Sequence, residues 1–531
     1  MSARGEGGIS FYVESLVIIV DNRVRVCGVI PAAADKRLRQ MTTYANPKRA
    51  ALESMGFPVW GEPRTIETFR QEQTHLSFAR GTYRRVVLAL RAENVPFVTR
   101  DQRCSGTIIP WEDGLPPYGR TLWPHQEAVV EAMIARQNCI VRAPTGSGKT
   151  SCGLAFASRV GVPTLVVVPT GTLFDQWIER CRDPRELNLR MCDVGMIRGK
   201  KKVIKPITIA MQQTLARHGI GEREKQIFGA VIEDEVQFAP AKTFFDAIDP
   251  WPAKFRIGIS ADERRKDRMD FMTRDLFGEI GHEVSRQEVE AAGHIMEVEL
   301  RCVPSRFDAS WYHGDAIMPS FDELVAEDGG PSAKHEFGDD GDRFGRLLRE
   351  MASDSEREAL IDRWIMYEVE AGRQVLVFCR RREHVLQIDQ RISGKGVRTG
   401  IILGGSGEDE RVRRKTIAEI KSGVVRVAIG TVEACGTGTD LPSVEAGVVT
   451  FPLHTNRQLI GQVRGRICRV SGGKEVARLY MVTDERVFPG QVRALARAHG
   501  GLVLRWSGSS WENVGNKKRA AASRVAEDNE Q

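Results

Sequence analysis

The sequence lacks the cysteine patterns of a metal-bound or disulfide-stapled protein. Its 531 residues include ten cysteines, none of them in a Cys-x-x-Cys pair. Structural zinc sites and disulfide frameworks depend on closely spaced cysteines, so neither is predicted. Scattered cysteines of this kind fit a reducing cytoplasm.

Long apolar runs are also missing. No stretch reaches the length that a transmembrane helix needs, so no membrane partner is expected. The short run LVIIV (16–20), with Glu14 just before it, predicts a β-strand rather than a signal peptide. No internal repeat recurs at a fixed period. The net charge of +7 is mild, and is compatible with a polyanionic partner without requiring one.

The order of apolar and helical segments predicts an α/β protein of several domains. Residues 1–118 alternate strand-like and helical runs, as in a small α+β domain. Short buried strands alternate with helices in 119–303 and again in 346–490, which indicates two tandem domains with parallel sheets. Residues 304–345 include an acidic, glycine-rich stretch and are predicted to be a linker, and 491–531 are predicted to be an extension and tail.

A phosphate-binding loop is predicted at APTGSGKT (143–150), between the strand NCIVR and a helical segment. Gly146 and Gly148 let the backbone curl so that its N–H groups face a phosphate. Thr145 precedes the first glycine, and Ser147 lies between the two. Lys149 is expected to reach the β- and γ-phosphates, and Thr150 to ligate Mg²⁺. ATP and Mg²⁺ are therefore the expected cofactors.

A second acidic motif follows the apolar strand of GAVIEDEVQF (229–238). In a domain with a phosphate-binding loop, Asp234 is placed to hold Mg²⁺. Glu235 then suits polarisation of the attacking water.

An arginine-rich segment, QLIGQVRGRICRV (458–470), lies in the second α/β domain. Arg464, Arg466 and Arg469 cannot all face one way at these spacings, so at least one is expected to point at an anion. A kinase or GTPase does not need a second such sheet that carries arginines. A motor does, because ATP then lies between two sheets, one with the phosphate loop and the other with arginine fingers.

These motifs resemble those of superfamily 2 helicases and translocases, over residues 120–470. LWPHQEAVVEAM resembles the Q motif, VVVPTGTLFDQW motif Ia, ITIAMQQTL motif Ib, DEVQ motif II, GISADERRKD motif III, QVLVFCRRREH motif IV, GTVEACGTGTDLP motif V and QVRGRICR motif VI. The XPB-type and phage UvsW-type DNA helicases are the most similar subgroup. Gln237 and Asp262 depart from the motif II and motif III patterns, which puts the coupling of hydrolysis to strand movement in question.

The resemblance implies roles for further residues. Gln126 would read the adenine edge, Gly438 and Asp440 would contact the nucleotide, and Gln462, Arg466 and Arg469 would complete motif VI. Phosphate contacts with nucleic acid would come from Thr170, Gly171, Gln212, Arg380, Arg381 and Thr431. The role of Arg464 stays open.

The implied function is an ATP-dependent DNA helicase or translocase, acting on single-stranded or branched DNA in replication, recombination or repair. It would work in the cytoplasm, near the nucleoid or in a phage-infected cell. Residues 1–118 resemble a DNA-structure-reading domain of the phage members, and a chain starting near Gly119 is expected to fold and hydrolyse ATP. Alternatively, this region is a stabilising appendage. Two other functions also stay open: an RNA helicase, and a non-unwinding translocase subunit of a restriction, defence or packaging assembly.

Overall fold

The computed structural model describes residues 15–54, 58–107, 115–237, 241–261, 268–312, 339–404, 408–436, 441, 443–453, 457–468, 470, 477–499 and 501–514. Contacts divide the chain into two units. The first contains residues 1–142 and 150–283, and the second contains 143–149 and 284–531. The phosphate loop is thus grouped with the second unit.

The N-terminal part of the first unit is a small α+β region. Its strands are β1 (Leu16–Val20), β2 (Arg23–Cys27), β3 (Thr43–Ala45), β4 (Thr65–Glu67), β5 (Arg70–Gln71), β6 (His75–Ala79) and β7 (Phe97–Asp101). Its helices are α1 (Ala32–Gln40), α2 (Pro47–Ser54) and α3 (Tyr83–Ala92). Five strands form a sheet in the order β5-β6-β2-β1-β7, and α1 and α3 share a buried apolar core with it.

The rest of the first unit is built on an eight-stranded sheet, the first large sheet. Its strands are β8 (Asn138–Arg142), β9 (Thr164–Val168), β10 (Val194–Arg198), β11 (Lys201–Val203), β12 (Ile207–Met211), β13 (Ala230–Asp234), β14 (Phe255–Ser260) and β15 (Ile280–Glu283). The helices are α4 (Pro124–Arg136), α5 (Lys149–Val160), α6 (Gly171–Arg182), α7 (Gln212–His218), α8 (Glu222–Lys225), α9 (Ala241–Ile248) and α10 (Asp270–Phe277). The strand order is β11-β10-β12-β9-β13-β14-β8-β15, parallel except at the β10–β11 edge.

The second unit contains the second large sheet. Its strands are β16 (Val298–Pro304), β17 (Val375–Cys379), β18 (Thr399–Ile402), β19 (Val427–Thr431), β20 (Ala446–Val449), β21 (Ala477–Thr483), β22 (Val503–Trp506) and β23 (Trp511–Asn513). Its helices are α11 (Arg286–Ala291), α12 (Asp339–Ser353), α13 (Ser355–Glu370), α14 (Arg382–Ser393), α15 (Glu408–Lys421), α16 (Val432–Gly436), α17 (Arg457–Ile467) and α18 (Gln491–His499). The order is β18-β19-β17-β20-β21-β16-β22-β23, and only the β22–β23 edge is antiparallel.

The predicted fold class is confirmed: two RecA-like parallel sheets follow a small α+β region. The central strands β9, β13, β17 and β19 are buried along their whole length. Parallel strands are covered by crossover helices on both faces, which is why these segments read as continuous apolar runs in the sequence.

The structure draws two domain boundaries differently from the sequence prediction. Strand β16, which the prediction assigned to the first α/β domain, lies between β21 and β22 in the second large sheet. Residues 491–514 also belong to the second unit, because α18 packs there and β22 extends the sheet. An apolar strand does not indicate which sheet it joins, so the sequence could not reveal either assignment. Most of the predicted linker, residues 313–338, lies outside the described residues.

Buried charges attach the small α+β region to the first large sheet. Arg23 donates to Asp249 at 2.7 Å, and Arg80 donates to the Asn138 side chain at 2.8 Å. Arg85 forms an ion pair with Asp275, whose side chain is fully buried. These two parts of the first unit are therefore joined by specific polar contacts and not only by apolar packing.

No helix within the described ranges combines the length and the apolar character needed to cross a bilayer.

Candidate nucleotide and nucleic-acid site

The phosphate loop connects the end of β8 to the start of α5. Gly146 and Gly148 have φ angles of 92° and 85°, in the left-handed region that glycine adopts without strain. Within the loop, the Ser147 N–H donates to the Pro144 carbonyl at 3.2 Å, and Lys149 Nζ donates to the Ala143 carbonyl at 3.4 Å. A glycine-dependent turn at a helix N-terminus, with a lysine folded beside it, has the donors that a polyphosphate requires. The phosphate roles of Thr145, Ser147 and Thr150 stay predictions.

Motif II lies at the carboxyl end of β13. Asp234 is the last residue of this strand and is only 3% exposed. Its Oδ2 accepts a hydrogen bond from the indole Nε1 of Trp177, at 2.9 Å. Strand β14 alone separates β13 from β8, so Asp234 and the strand that enters the phosphate loop lie near each other in one sheet. A carboxylate oxygen is a ligand that Mg²⁺ prefers.

Glu235 has an unusual backbone conformation. Its φ angle is 57°, which costs a non-glycine residue about 1–3 kcal/mol. Gln237 Nε2 donates to Glu235 Oε2 at 2.6 Å, and Ser260 Oγ donates to Gln237 Oε1 at 2.6 Å. The residue that departs from the motif II pattern thus joins motif II to motif III. The described residues end at 261 here, so the predicted motif III positions 262–267 lie outside them.

Glu233 is a buried acid that sequence reasoning did not single out. Burial raises the pKa of its fully buried carboxyl well above the usual range, and the neighbouring Asp234 charge adds to this effect. Gln212 Nε2 donates to Glu233 Oε1 at 3.1 Å. The signal in the sequence was the run of three acids after an apolar strand, of which only two were given a role.

Gln212 differs from its predicted position. Its side chain is fully buried and is directed at Glu233, whereas the resemblance implied a contact with a nucleic-acid phosphate. A buried carboxyl needs a donor, and Gln212 supplies it. This burial argues against a phosphate contact by the Gln212 side chain in this conformation.

Gln126, the predicted adenine reader, lies in the first turn of α4. Its side-chain oxygen accepts a hydrogen bond from the backbone N–H of Trp123 at 3.0 Å, and the residue is buried. The side chain therefore helps to begin the helix, and its adenine contact stays a prediction.

The predicted motif Ia residues form the N-terminus of α6. Thr170 caps this helix, and its Oγ1 accepts from the Leu173 N–H at 3.4 Å. A Cβ atom at Gly171 would lie 2.9 Å from the Arg198 guanidinium, which also stacks over the Phe174 ring at 5.4 Å. The basic β10–β11 hairpin is therefore brought beside motif Ia.

Motifs IV and V lie at the carboxyl ends of two neighbouring strands of the second large sheet. Cys379 at the end of β17 pairs with Thr431 at the end of β19, so Arg380 lies next to the strand end that carries Thr431. Arg380 is buried, and Arg381 lies 3.4 Å from Glu383. Thr431 Oγ1 accepts from the Ala434 N–H at 3.4 Å. Gly438 and Asp440 of motif V lie outside the described residues.

The motif VI arginines differ in their surroundings. Arg464 Nη1 donates to the His499 carbonyl at 2.6 Å, and burial together with Arg286 lowers the pKa of Arg464 to about 10. Arg466 is buried on the same helix, α17. Within the second unit, a Cβ atom at Gly465 would lie 2.5 Å from Thr145 Cβ, so this part of α17 lies against the phosphate loop. Arg469 and the side chain of Gln462 lie outside the described residues.

Two family models match the chain. Residues 120–263 match the model described as the res subunit of the type III restriction enzyme, and residues 356–471 match the helicase conserved C-terminal domain. By these two matches, the chain is similar to the superfamily 2 helicases that its motifs resemble.

The similar proteins are distant. The chain is 26% identical over 337 residues to a helicase of Escherichia phage T5, covering 63% of this chain and 65% of the relative. It is 28% identical over 359 residues to a DNA 3′-5′ helicase Rad25 of Halobacterium salinarum, covering 66% of this chain and 52% of the relative. The chain thus spans about half to two thirds of the length of these relatives. The crystal structure of T4 UvsW aligns with a TM-score of 0.39 and 14% identity, over 88% of this chain and 90% of UvsW.

Proposed function

We propose that this chain is an ATP-dependent motor that moves along DNA. The observation that carries the proposal is the arrangement at the end of β13. There, Asp234 and Glu235 project from a buried strand, and Gln237 connects Glu235 to Ser260 on the next strand. An aspartate for the metal and a glutamate for water, one strand away from β8, are the acidic groups that a nucleotide triphosphatase uses.

The residues fit ATP and Mg²⁺. The loop glycines adopt the conformation that a phosphate cradle requires, and the carboxylate of Asp234 and the hydroxyl of Thr150 are the oxygen ligands that Mg²⁺ accepts. Bound Mg²⁺ would neutralise charge on the transferred phosphoryl group. Lys149 would hold the β- and γ-phosphates, Glu235 would orient the water, and Arg466 and Arg469 would stabilise the charge that develops on the γ-phosphate.

DNA is the substrate that we propose, because the named relatives include a DNA 3′-5′ helicase. The same comparison makes 3′→5′ the proposed direction of movement. The N-terminus of α6, with Arg198 beside it, and the strand ends that carry Arg380, Arg381 and Thr431 would contact phosphates. Such contacts carry no base identity and suit a motor that moves along any sequence.

The test is a measurement of ATP hydrolysis with single-stranded, duplex, forked and four-way DNA, and with RNA of matched length. Stimulation by DNA above RNA is expected, and stimulation by RNA alone would assign the chain to RNA. Lys149→Ala should abolish hydrolysis, since the phosphates lose their main side-chain partner. Hydrolysis that persists in this variant would remove the phosphate-loop assignment.

A second candidate function is a translocase that serves a partner without unwinding DNA. The match of residues 120–263 to a restriction-enzyme subunit favours it. A strand-displacement assay with the isolated chain separates the two. Release of the displaced strand supports the helicase, whereas triplex displacement without strand separation supports the translocase.

For the small α+β region we propose a role in the recognition of branched DNA. Its sheet has one face without α1 and α3, and the edge strand β7 on that side exposes Val98 and Arg100. Arg100→Glu should reduce the preference for forked over linear DNA in competition binding at fixed salt. Arg91→Glu, on α3, is the matched charge control. Equal preference in the two variants would contradict the proposal.

A further inference from the structure

Two buried side chains connect predicted nucleic-acid elements to motif II. Trp177 of α6 donates to Asp234 at 2.9 Å, and Gln212, the first residue of α7, donates to Glu233 at 3.1 Å. Both donor side chains are fully buried. The helices that begin within motifs Ia and Ib therefore each donate one hydrogen bond to adjacent acids at the end of β13.

The indole of Trp177 is held tightly in place. A Cβ atom at Gly153 of α5 would lie 2.6 Å from Cη2 of the Trp177 ring, so only glycine permits this close approach. Helix α5 is the helix that starts at Lys149 of the phosphate loop. The ring is thus packed against the helix of the phosphate loop while its N–H is directed at Asp234.

The N-terminus of α6 lies beside a different set of groups. Thr170 caps the helix, and Arg198 stacks on Phe174 beside it. Trp177 lies seven residues after Thr170, which is about 10 Å along a helix. A displacement of the N-terminus of α6 would reach Trp177, because a helix of 12 residues moves largely as one element.

We propose that Trp177 is a positioning residue that orients the Asp234 carboxylate for the metal and couples DNA contact at α6 to that orientation. This inference rests on the proposed function. An indole N–H is only a donor, so it holds one oxygen of Asp234 and leaves the negative charge of the carboxylate in place for a cation. Movement of α6 on DNA would then change the position of Asp234 directly.

The first experiment compares Trp177→Phe with Trp251→Phe. Phenylalanine keeps an aromatic ring but has no donor. Trp251 is a matched control, since it is also buried in the first unit and donates to the Ala247 carbonyl at 2.7 Å, within its own segment. The readout is binding of a non-hydrolysable ATP analogue as a function of Mg²⁺ concentration. Trp177→Phe should raise the Mg²⁺ concentration for half-maximal binding several-fold, with little change in the binding measured without Mg²⁺.

The same variants are then measured for stimulation of hydrolysis by single-stranded DNA. Trp177→Phe should lower the ratio of DNA-stimulated to basal turnover, and Trp251→Phe should leave this ratio unchanged. Equal Mg²⁺ dependence and equal stimulation in both variants would overturn the proposal. Failure of the proposed function looks different, because the unaltered chain would then show no DNA-stimulated hydrolysis at all.

A spectroscopic readout covers the case in which Trp177→Phe does not fold. The indole N–H resonance of Trp177, in the unaltered chain with labelled tryptophan, is assigned through Gly153→Ala, which pushes on the ring. This resonance should shift when Mg²⁺ and the analogue are added, and again when single-stranded DNA is added. A resonance that responds to neither addition contradicts the coupling.

Discussion

Asp234 and Asp484 occupy corresponding places in the two large sheets, yet their partners differ. Asp234 ends β13, and Asp484 directly follows β21. Asp234 accepts a hydrogen bond from the neutral indole of Trp177. Asp484 accepts two hydrogen bonds from the guanidinium of Arg357, at 3.0 and 3.2 Å, and both side chains are fully buried.

The indole of Trp177 and the guanidinium of Arg357 differ in charge. A neutral donor orients a carboxylate without cancelling its charge, whereas a guanidinium cancels it. Asp484 is also tied to the chain around it, because its backbone N–H donates to Gln491 Oε1 at 2.7 Å. Position at the end of a parallel strand therefore does not by itself assign a carboxylate to catalysis.

The same kind of comparison can be made between two arginines of α17, Arg464 and Arg466. The largest expected effect on turnover is that of Arg466→Ala. Arg466→Ala should lower turnover by about 10³–10⁵ with nucleotide affinity largely retained, since an arginine finger acts on charge that develops in the transition state. Steady-state hydrolysis and equilibrium binding measure this.

Arg464→Ala is the matched control on the same helix. Arg464 donates to the His499 carbonyl, so its loss should lower stability more than turnover. Lost nucleotide binding with unchanged turnover in Arg466→Ala would instead make Arg466 a ground-state ligand. Arg469→Ala is expected to lower turnover as Arg466→Ala does, with nucleotide affinity largely retained.

Glu235→Gln should lower turnover by about 10²–10⁴, because the water loses its polarising group. Nucleotide and Mg²⁺ should still bind, and the variant should dissociate slowly from labelled DNA in the presence of ATP. Glu233→Gln is the control, since glutamine resembles the protonated acid that burial favours at this position. Normal hydrolysis by Glu235→Gln would show that another group orients the water.

Two buried acids of the first unit, Asp249 and Asp275, have arginine partners in residues 1–118. Removal of residues 1–118 tests whether these ion pairs stabilise the first unit. A chain that starts at Gly119 loses Arg23 and Arg85 and leaves both acids without these partners. The sequence led to the expectation that this chain folds, whereas the loss of these buried ion pairs predicts that it does not, whether or not the region also recognises DNA. We expect an insoluble product, measured by expression and circular dichroism. A soluble, cooperative product would contradict this.

Asp484→Asn should destabilise the second unit by about 3–5 kcal/mol, since a buried arginine loses its counter-ion. Chemical denaturation measures the change, and turnover per folded molecule should be retained. Asp409→Asn removes the exposed partner of Arg382 and should cost only about 0–1 kcal/mol. Equal effects of the two substitutions would mean that burial does not distinguish these pairs.

The smallest effect is a pH dependence from His499. Burial and the nearby charge of Arg464 lower the pKa of His499 to about 3, from an ordinary value of 6.5. The unfolded chain therefore binds a proton that the folded chain does not, and stability should fall as the pH drops below 6.5. The free energy of unfolding should fall by about 1.4 kcal/mol for each pH unit below 6.5. Denaturation of the unaltered chain and of His499→Gln between pH 7 and 5 should diverge with that slope, and parallel curves would contradict it.

The sequence by itself determined the fold class, and it predicted where the motifs lie. Continuous apolar runs identified the central strands of both sheets, because strands covered on both faces must be apolar throughout. The loop APTGSGKT and the acids after β13 were recognisable because their chemistry needs particular residues at fixed spacing. Local patterns of this kind are complete within a few residues, so no long-range information was required.

Only the tertiary structure decided which residues those motifs contact. Strand β16 joined the second sheet, and Gln212 turned inward to Glu233. Trp177, which is distant in sequence from motif II, became the donor to Asp234. Each of these outcomes depends on a partner that lies far along the chain, and the fold decides which partner is close enough to satisfy a buried polar group.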